Sequence, residues 1–259
     1  MGALLRSAWC VFQRNLLVYR HVWRGSLFMG FLSPLLFLLS MGLGVGALVR
    51  TEGVLPAGAS FLTFLGSGLL ASTCMQTGSF ESSFPIVGKM VWRRNYEAMF
   101  ATPVSVGAIV LGELLWLAAR LVMVAAAFAC VLAAFGVGTL ASLVPAVAAA
   151  VLTGLAFGAC VMAYAATLRD GANFNALFRF GITPLFLFSG VFFPITRLPA
   201  PIRWLAPTTP LFHGVELTRG LVLGTLGAQA AVIHVTYLVV MVGLGASVAY
   251  WIFRRRLWT

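Results

Sequence analysis

The 259-residue chain is 61% hydrophobic and only 9% charged, with a mean hydropathy of +1.01. That composition excludes an ordinary soluble domain and makes lipid the main solvent. Its net charge of +11 would point a soluble protein toward nucleic acid; in a membrane chain basic loops set orientation, so no nucleic-acid partner is expected.

The first stretch, "LLRSAWCVFQRNLLVYRHVWR", is amphipathic. At about 100° per residue, Arg6, Gln13, Arg14, Arg20, His21 and Arg24 gather on one side, with Leu4, Leu5, Trp9, Phe12, Leu16, Tyr19, Val22 and Trp23 opposite. Only Asn15 and Leu17 break the pattern. Residues 1–26 are therefore expected to form an interfacial helix lying along a leaflet, its cations toward lipid headgroups.

A crossing helix needs about twenty apolar residues, and six windows qualify: 27–49, 59–80, 104–134, 143–168, 176–193 and 230–252. The first begins too late and runs too long for a cleaved signal peptide, so it is expected to remain an anchor. Six crossings put both termini on one side. That side collects twelve bases (Arg6, Arg14, Arg20, Arg24, Lys89, Arg93, Arg94, Arg169, Arg179, Arg254, Arg255, Arg256) against Arg50, Arg197, Arg203 and Arg219 on the other, so both termini are expected in the cytoplasm. Cys10, Cys74, Cys130 and Cys160 stand singly, at neither metal nor redox spacing, and read as packing residues.

Between the second and third windows lies "GKMVWRRNYEAMFATPVSVGAIVLGELLW". Lys89, Arg93 and Glu97 fall at i, i+4, i+8, which predicts one charged stripe on a short cytoplasmic helix over 86–101, with Arg93 and Glu97 able to pair. Pro103 ends that helix, and Thr102 is expected to cap the next with Pro103 in its first turn. A push on the short helix would then tilt the long one. Inside the third window, Glu113 and Arg120 lie seven residues apart on nearly one stripe. Each costs about 3 kcal/mol at mid-membrane unless it faces protein or water. They are expected either to hold helices together or to line a translocation path. Arg120 reaches back toward Glu113, but the gap is marginal for a direct pair, so water or another helix is expected to bridge it.

In the fifth window Pro184 predicts a kink, with Thr183 placed to satisfy a freed carbonyl. Phe174, Phe178, Phe180, Phe186, Phe188, Phe192 and Phe193 face lipid or line a greasy route. Five prolines between 194 and 210 then bar any long helix. Thr209-Pro210 repeats the cap-and-first-turn signature and starts a helix over about 210–222 that presents His213, Glu216 and Arg219. It is too short to cross, so 194–222 is expected to be a re-entrant outer segment whose polar set holds a lid; His213 and Glu216 alone are not expected to bind metal.

No ATP-binding pattern is present. "SFPIVGKM" has Ser83 and Met90 where a phosphate loop needs glycine and a hydroxyl, and the glycines of "GLGVGALV" fall within a membrane window. No catalytic constellation appears, so the chain is not expected to be an enzyme.

The block from Gly88 to Trp116, together with "FLFSGVFFPITRLPAPIRWLAPTTPLFHGVELTRGL", resembles type-2 ATP-binding-cassette export permeases. It is most similar to the nodulation-factor (lipo-oligosaccharide) export permeases, with daunorubicin-type drug export permeases more distant. The resemblance covers nearly the whole chain. It implies an all-α integral membrane permease of the bacterial inner membrane, with six spans, an interfacial N-terminal helix, a cytoplasmic coupling helix and outer re-entrant helices. It further implies that Lys89, Trp92, Arg93, Arg94, Tyr96, Glu97, Thr102 and Pro103 couple to a separate ATPase subunit, which would bind ATP and Mg in this chain's stead. A second permease copy, in a homodimer or heterodimer, is also implied. The exported substrate would be an amphiphile: a hydrophobic drug, a glycolipid or a lipo-oligosaccharide. The alternative is a secondary transporter driven by an ion gradient, for which Glu113 is the one decent ion-site candidate.

Overall fold

The structure, a computed structural model, describes residues 2–21, 23, 25, 32, 35–45, 60–197 and 199–258. Among these residues the fold is helical, with no strand. Its long helices are α1 (Gly2–Tyr19), α2 (Phe61–Glu81), α3 (Val106–Ala134), α4 (Leu140–Thr167), α5 (Pro210–Leu223) and α6 (Ala228–Leu257). By length and composition α3, α4 and α6 can cross a membrane; at 1.5 Å per residue each runs over about 40 Å, more than the roughly 30 Å of hydrocarbon. Helix α2 has 21 residues, enough to span, but Gln76, Thr77, Ser79 and Glu81 make its last turns polar. In the predicted window 27–49, residues 32 and 35–45 are described, with a π segment over Leu39–Val45; the rest of that window lies outside the described residues.

The window at 176–193 is not one continuous helix. An α-turn, a π segment (Leu177–Ile182) and a second α-turn (Thr183–Phe188) follow one another. Pro184 lacks the N–H that would close the regular ladder, and the chain widens into a π register just before it. Thr183 Oγ1 donates to the Phe178 carbonyl at 2.8 Å, so the hydroxyl satisfies a carbonyl within the break.

Helix α4 is the hub, buried over most of its length, whereas α6 is buried almost nowhere. Glycine makes the hub's closest contacts possible. A Cβ on Gly78 of α2 would overlap the Gly154 carbonyl of α4, and one on Gly154 would come within 2.7 Å of the Cys74 carbonyl. The two backbones therefore touch directly, the small-residue packing that suits helices without a hydrophobic drive between them. Gly245 brings α6 equally close, its Cβ position lying 2.8 Å from Ala159 C and Cys160 N.

The helix ends sort the charges. The start of α3 and the ends of α2, α4 and α6 share one end of the molecule with Lys89, Arg93, Arg94, Arg169 and Arg254 to Arg256; Arg256 Nη1 donates to the Ala166 and Leu168 carbonyls at the end of α4 at 2.8 and 2.6 Å. We call this the basic end. Helix α5, the start of α6 and the proline-rich stretch, as short turns at Ile195–Arg197, Ala200–Leu205 and Ala206–Thr208, form the opposite end.

Three local expectations are corrected. Residues 86–101 do not form one helix: Phe84–Val87 passes into a π segment (Gly88–Trp92), and Arg94, in the left-handed region at φ 49° and ψ 31°, separates it from Asn95–Phe100. That turn destroys the Lys89–Arg93–Glu97 stripe. The cap of α3 is Ser105, whose extended backbone lets its Oγ accept from Ala108 N at 3.3 Å; Thr102 instead closes the preceding turn, donating to the Met99 carbonyl at 2.6 Å. Finally, α1 does not simply lie across the end of the bundle. Leu4 meets Gly107, Ala8 and Val11 meet Gly112, and Tyr19 meets Arg120, so α1 runs alongside the first half of α3 in the same direction. Gly112 allows this, because a Cβ there would sit 2.7 Å from the Ala8 carbonyl.

Candidate functional site

Two polar clusters are buried along the seam between α1 and α3 at the basic end. The first centres on Glu113, only 2% exposed. Lys89 Nζ donates to both of its oxygens at 2.9 and 2.7 Å, Tyr96 Oη donates to Oε1 at 3.0 Å and Asn15 Nδ2 donates to Oε2 at 3.1 Å. Those four bonds fill the acceptor capacity of one carboxylate. Burial, and then the neighbouring Glu113 charge, push the Tyr96 phenol well above its ordinary value, so it stays protonated and keeps donating. Glu113 thus ties α1 and both pieces of the broken 84–100 segment to α3.

The second cluster lies two turns further along. Arg120 donates through Nε and Nη2 to Glu81 Oε1 at 3.2 and 2.9 Å and through Nη1 to Tyr19 Oη at 2.6 Å; its guanidinium also stands 4.4 Å from the centre of the Tyr19 ring. Trp116 sits between the clusters with edge-on contacts to Phe12 and Tyr19. Glu113 and Arg120 do not contact each other directly, so the contact that their spacing favoured is not made. Each finds an opposite charge on another element at ion-pair distance, and that takes precedence over two turns of separation on one helix.

The eight residues expected to couple divide in two. Trp92, Arg93, Arg94, Glu97, Thr102 and Pro103 are exposed, Trp92 at 63%, and make a polar, aromatic-tipped outer surface. Lys89 and Tyr96 turn inward to Glu113. The left-handed turn at Arg94 permits this division, because it re-aims Asn95–Phe100 so that Tyr96 enters the core and packs on Phe253 of α6 at 5.3 Å. Holding a non-glycine residue there costs about 1–2 kcal/mol. Sequence reasoning missed Asn15 and Glu81 as partners. The break Asn15 makes in the apolar face of α1 was the available signal for one; Glu81 gave none, being lost in a polar run.

At the opposite end, Thr209 caps α5 with Pro210 following. His213 Nε2 lies 2.9 Å from the Pro207 carbonyl and Nδ1 lies 2.8 Å from His234 Nδ1. A carbonyl only accepts, so His213 carries its proton on Nε2 and accepts from His234. The His213 ring also stacks on Tyr237 at 3.9 Å. Arg219 is buried; its Nη2 donates to the Gly190 carbonyl at 2.8 Å, its guanidinium lies 3.6 Å from the centre of the Phe64 ring, and Glu216 approaches Nη1 at 3.5 Å. The polar set of α5 therefore joins α5 to α2, α6 and the 190–207 stretch.

The family described as "ABC-2 type transporter" matches residues 6–223. Curated relatives named "Nodulation protein J" match along most of their length. The protein from Rhizobium meliloti is 31% identical over 229 residues, covering 87% of this chain and 86% of that one. The Rhizobium leguminosarum bv. trifolii protein is 33% identical over 214 residues, with 83% and 80% covered, and the Bradyrhizobium diazoefficiens protein is 32% identical over 248 residues, with 95% and 92% covered.

Proposed function

This chain belongs to the ABC-2 type transporter family, and from that premise we propose that it is the permease subunit of an ATP-driven exporter that moves an amphiphile out of the cytoplasm or inner leaflet of a bacterial inner membrane. The basic end faces the cytoplasm by its excess of arginine. ATP and Mg are bound by a separate ATPase subunit, and a second permease copy completes the pore. Among amphiphiles, the resemblance to nodulation-factor export permeases favours a lipo-oligosaccharide over a glycolipid or drug, and the curated relatives are named for nodulation.

One observation carries the mechanism: Glu113 is bonded at once to Lys89, Tyr96 and Asn15. Trp92, Arg93, Arg94 and Glu97 form the face that meets the ATPase. Behind that face, Lys89 and Tyr96 are locked to α3, so a displacement of the 88–100 segment moves α3 and α1 together. A gradient-driven carrier would need Glu113 as an ion site, and that carboxylate is already filled by protein donors.

The test is charge reversal at Arg93, Arg94 and Glu97, read by co-purification of the ATPase and by ATP-dependent transport in proteoliposomes. Loss of both is expected. Unchanged co-purification and transport would overturn the reading, as would transport that follows an ion gradient without the ATPase.

A further inference from the structure

Two cavities meet at the Arg120–Glu81 pair. The lower, about 460 Å³, is lined by Arg14, Lys89, Arg93 and Trp116 among others. The upper, about 600 Å³, is lined by Gln76, Thr77, Val124, Phe178, Ile182 and Phe186. Phe80, Glu81 and Arg120 line both. Each volume is within the range of a small-molecule site, about 300–1,000 Å³. The chemistry changes across the shared residues. Below them are three cations, Arg14, Lys89 and Arg93, with Arg120 at the boundary. Lys89 is neutralised by Glu113 and Arg120 by Glu81, and among the described residues Arg14 and Arg93 have no carboxylate at ion-pair distance, so the lower chamber keeps an excess of positive charge. Above them, aromatic and aliphatic side chains dominate, with Gln76 and Thr77 as polar rungs one turn from Glu81.

Resting on the exporter reading, we propose that the two chambers are one access site for an anionic amphiphile. The headgroup sits among Arg14, Lys89 and Arg93, the chain lies against Phe80, Phe178 and Phe186, and the Arg120–Glu81 pair is the gate between them. An anion reaching the pair competes with Glu81 for a guanidinium that has its geometry fixed by Tyr19, since carboxylate and phosphate suit the same planar donor set. Exchange of one anion for the other opens the connection without leaving Arg120 uncompensated, which a low-dielectric site would otherwise penalise by several kcal/mol. The site also accounts for the split among the phenylalanines of the fifth window: Phe178 and Phe186 face the chamber, while Phe180 and Phe188 are exposed.

The test is photo-crosslinking of the full-length permease in phosphatidylcholine nanodiscs, without ATPase or ATP, using a diazirine-bearing dodecyl phosphate and an uncharged dodecanol analogue. Dodecyl phosphate should label peptides carrying Phe80, Phe178 or Phe186, and the double variant R14Q/R93Q should lower that labelling by about fivefold per lost arginine contact. Labelling by dodecanol should not change, and R203Q at the opposite end should leave both probes unaffected. Variants are compared only when size exclusion and thermal unfolding match the parent. The proposal is overturned if the two probes label these peptides equally, if labelling is confined to the exposed face of α6, or if inorganic phosphate competes as well as unlabelled dodecyl phosphate, which would make this a site for free phosphate. Because no ATPase is present, those results would leave the exporter reading standing; failure of the ATPase to co-purify would sink that reading without touching the labelling.

Discussion

The basic end and the opposite end both bury charge, and they satisfy it differently. At the basic end, each buried charge meets an opposite charge on another element: Glu113 with Lys89, Arg120 with Glu81. At the far end, buried Arg219 is held by the Gly190 carbonyl and the Phe64 ring, while its carboxylate neighbour Glu216 is 41% exposed and on the same helix. A buried ion pair resists separation, because parting it strands two charges. A guanidinium among carbonyls can pass from Gly190 to Val191 or Phe64, which lie at 3.4 Å, keeping some donor satisfied throughout. The Glu113–Lys89 pair, its carboxylate filled by protein donors, suits parts that must move as one body. The Arg120–Glu81 pair can part only where another anion takes the place of Glu81, and the carbonyl arrangement around Arg219 suits parts that must shift against one another.

The sharpest way to break the comparison is Glu113→Gln. It leaves Lys89 facing a neutral amide, and removing one partner of a buried pair is expected to destabilise by about 3–5 kcal/mol, read as a lower thermal unfolding midpoint in detergent. The double variant K89M/E113L should recover much of that loss, because no charge is then stranded; full stability of E113Q alone would show that the clamp is not one. Next comes Gly154→Val, which forces α2 and α4 apart and should cost about 2–3 kcal/mol by overpacking, in the same assay.

Arg219→Lys tests the far end. An ammonium cannot stack on Phe64 as a guanidinium does, yet it can still donate to a carbonyl, so a loss of about 1–2 kcal/mol is expected. A loss as large as that of E113Q would erase the distinction between the ends. The smallest effect on stability belongs to charge reversal at Arg93, Arg94 and Glu97, within about 0.5 kcal/mol because these side chains are exposed; this variant should unfold like the parent while losing its ATPase.

What the sequence made legible was local. Thr209-Pro210 starts α5 because a cap and a first-turn proline act within four residues, and the Thr183-Pro184 pair marks its own break. The windows for α3, α4 and α6 follow from apolar length alone. What stayed hidden depended on distance along the chain or on a choice between equals. Arg120 is 39 residues from Glu81 and 101 from Tyr19, so no spacing rule connects them. Thr102 and Ser105 are both competent caps, and the one left over closed the preceding turn. Nothing in "WRRNY" announces that Arg94 adopts a left-handed backbone; the burial of Tyr96 against Glu113 and Phe253 offsets its strain.

The direct backbone contact of Gly78 with Gly154 sits close to one end of α2, and its position has a mechanical consequence. Glu81 is about 4.5 Å along the axis from that contact and Phe64 about 21 Å on the other side, at 1.5 Å per residue. With no side chain between them, the two backbones form a fulcrum about which α2 can rock. Any swing of a rigid α2 beside Glu81 arrives beside Phe64 enlarged roughly four- to fivefold, so the short arm belongs to the basic end and the long arm to the opposite end.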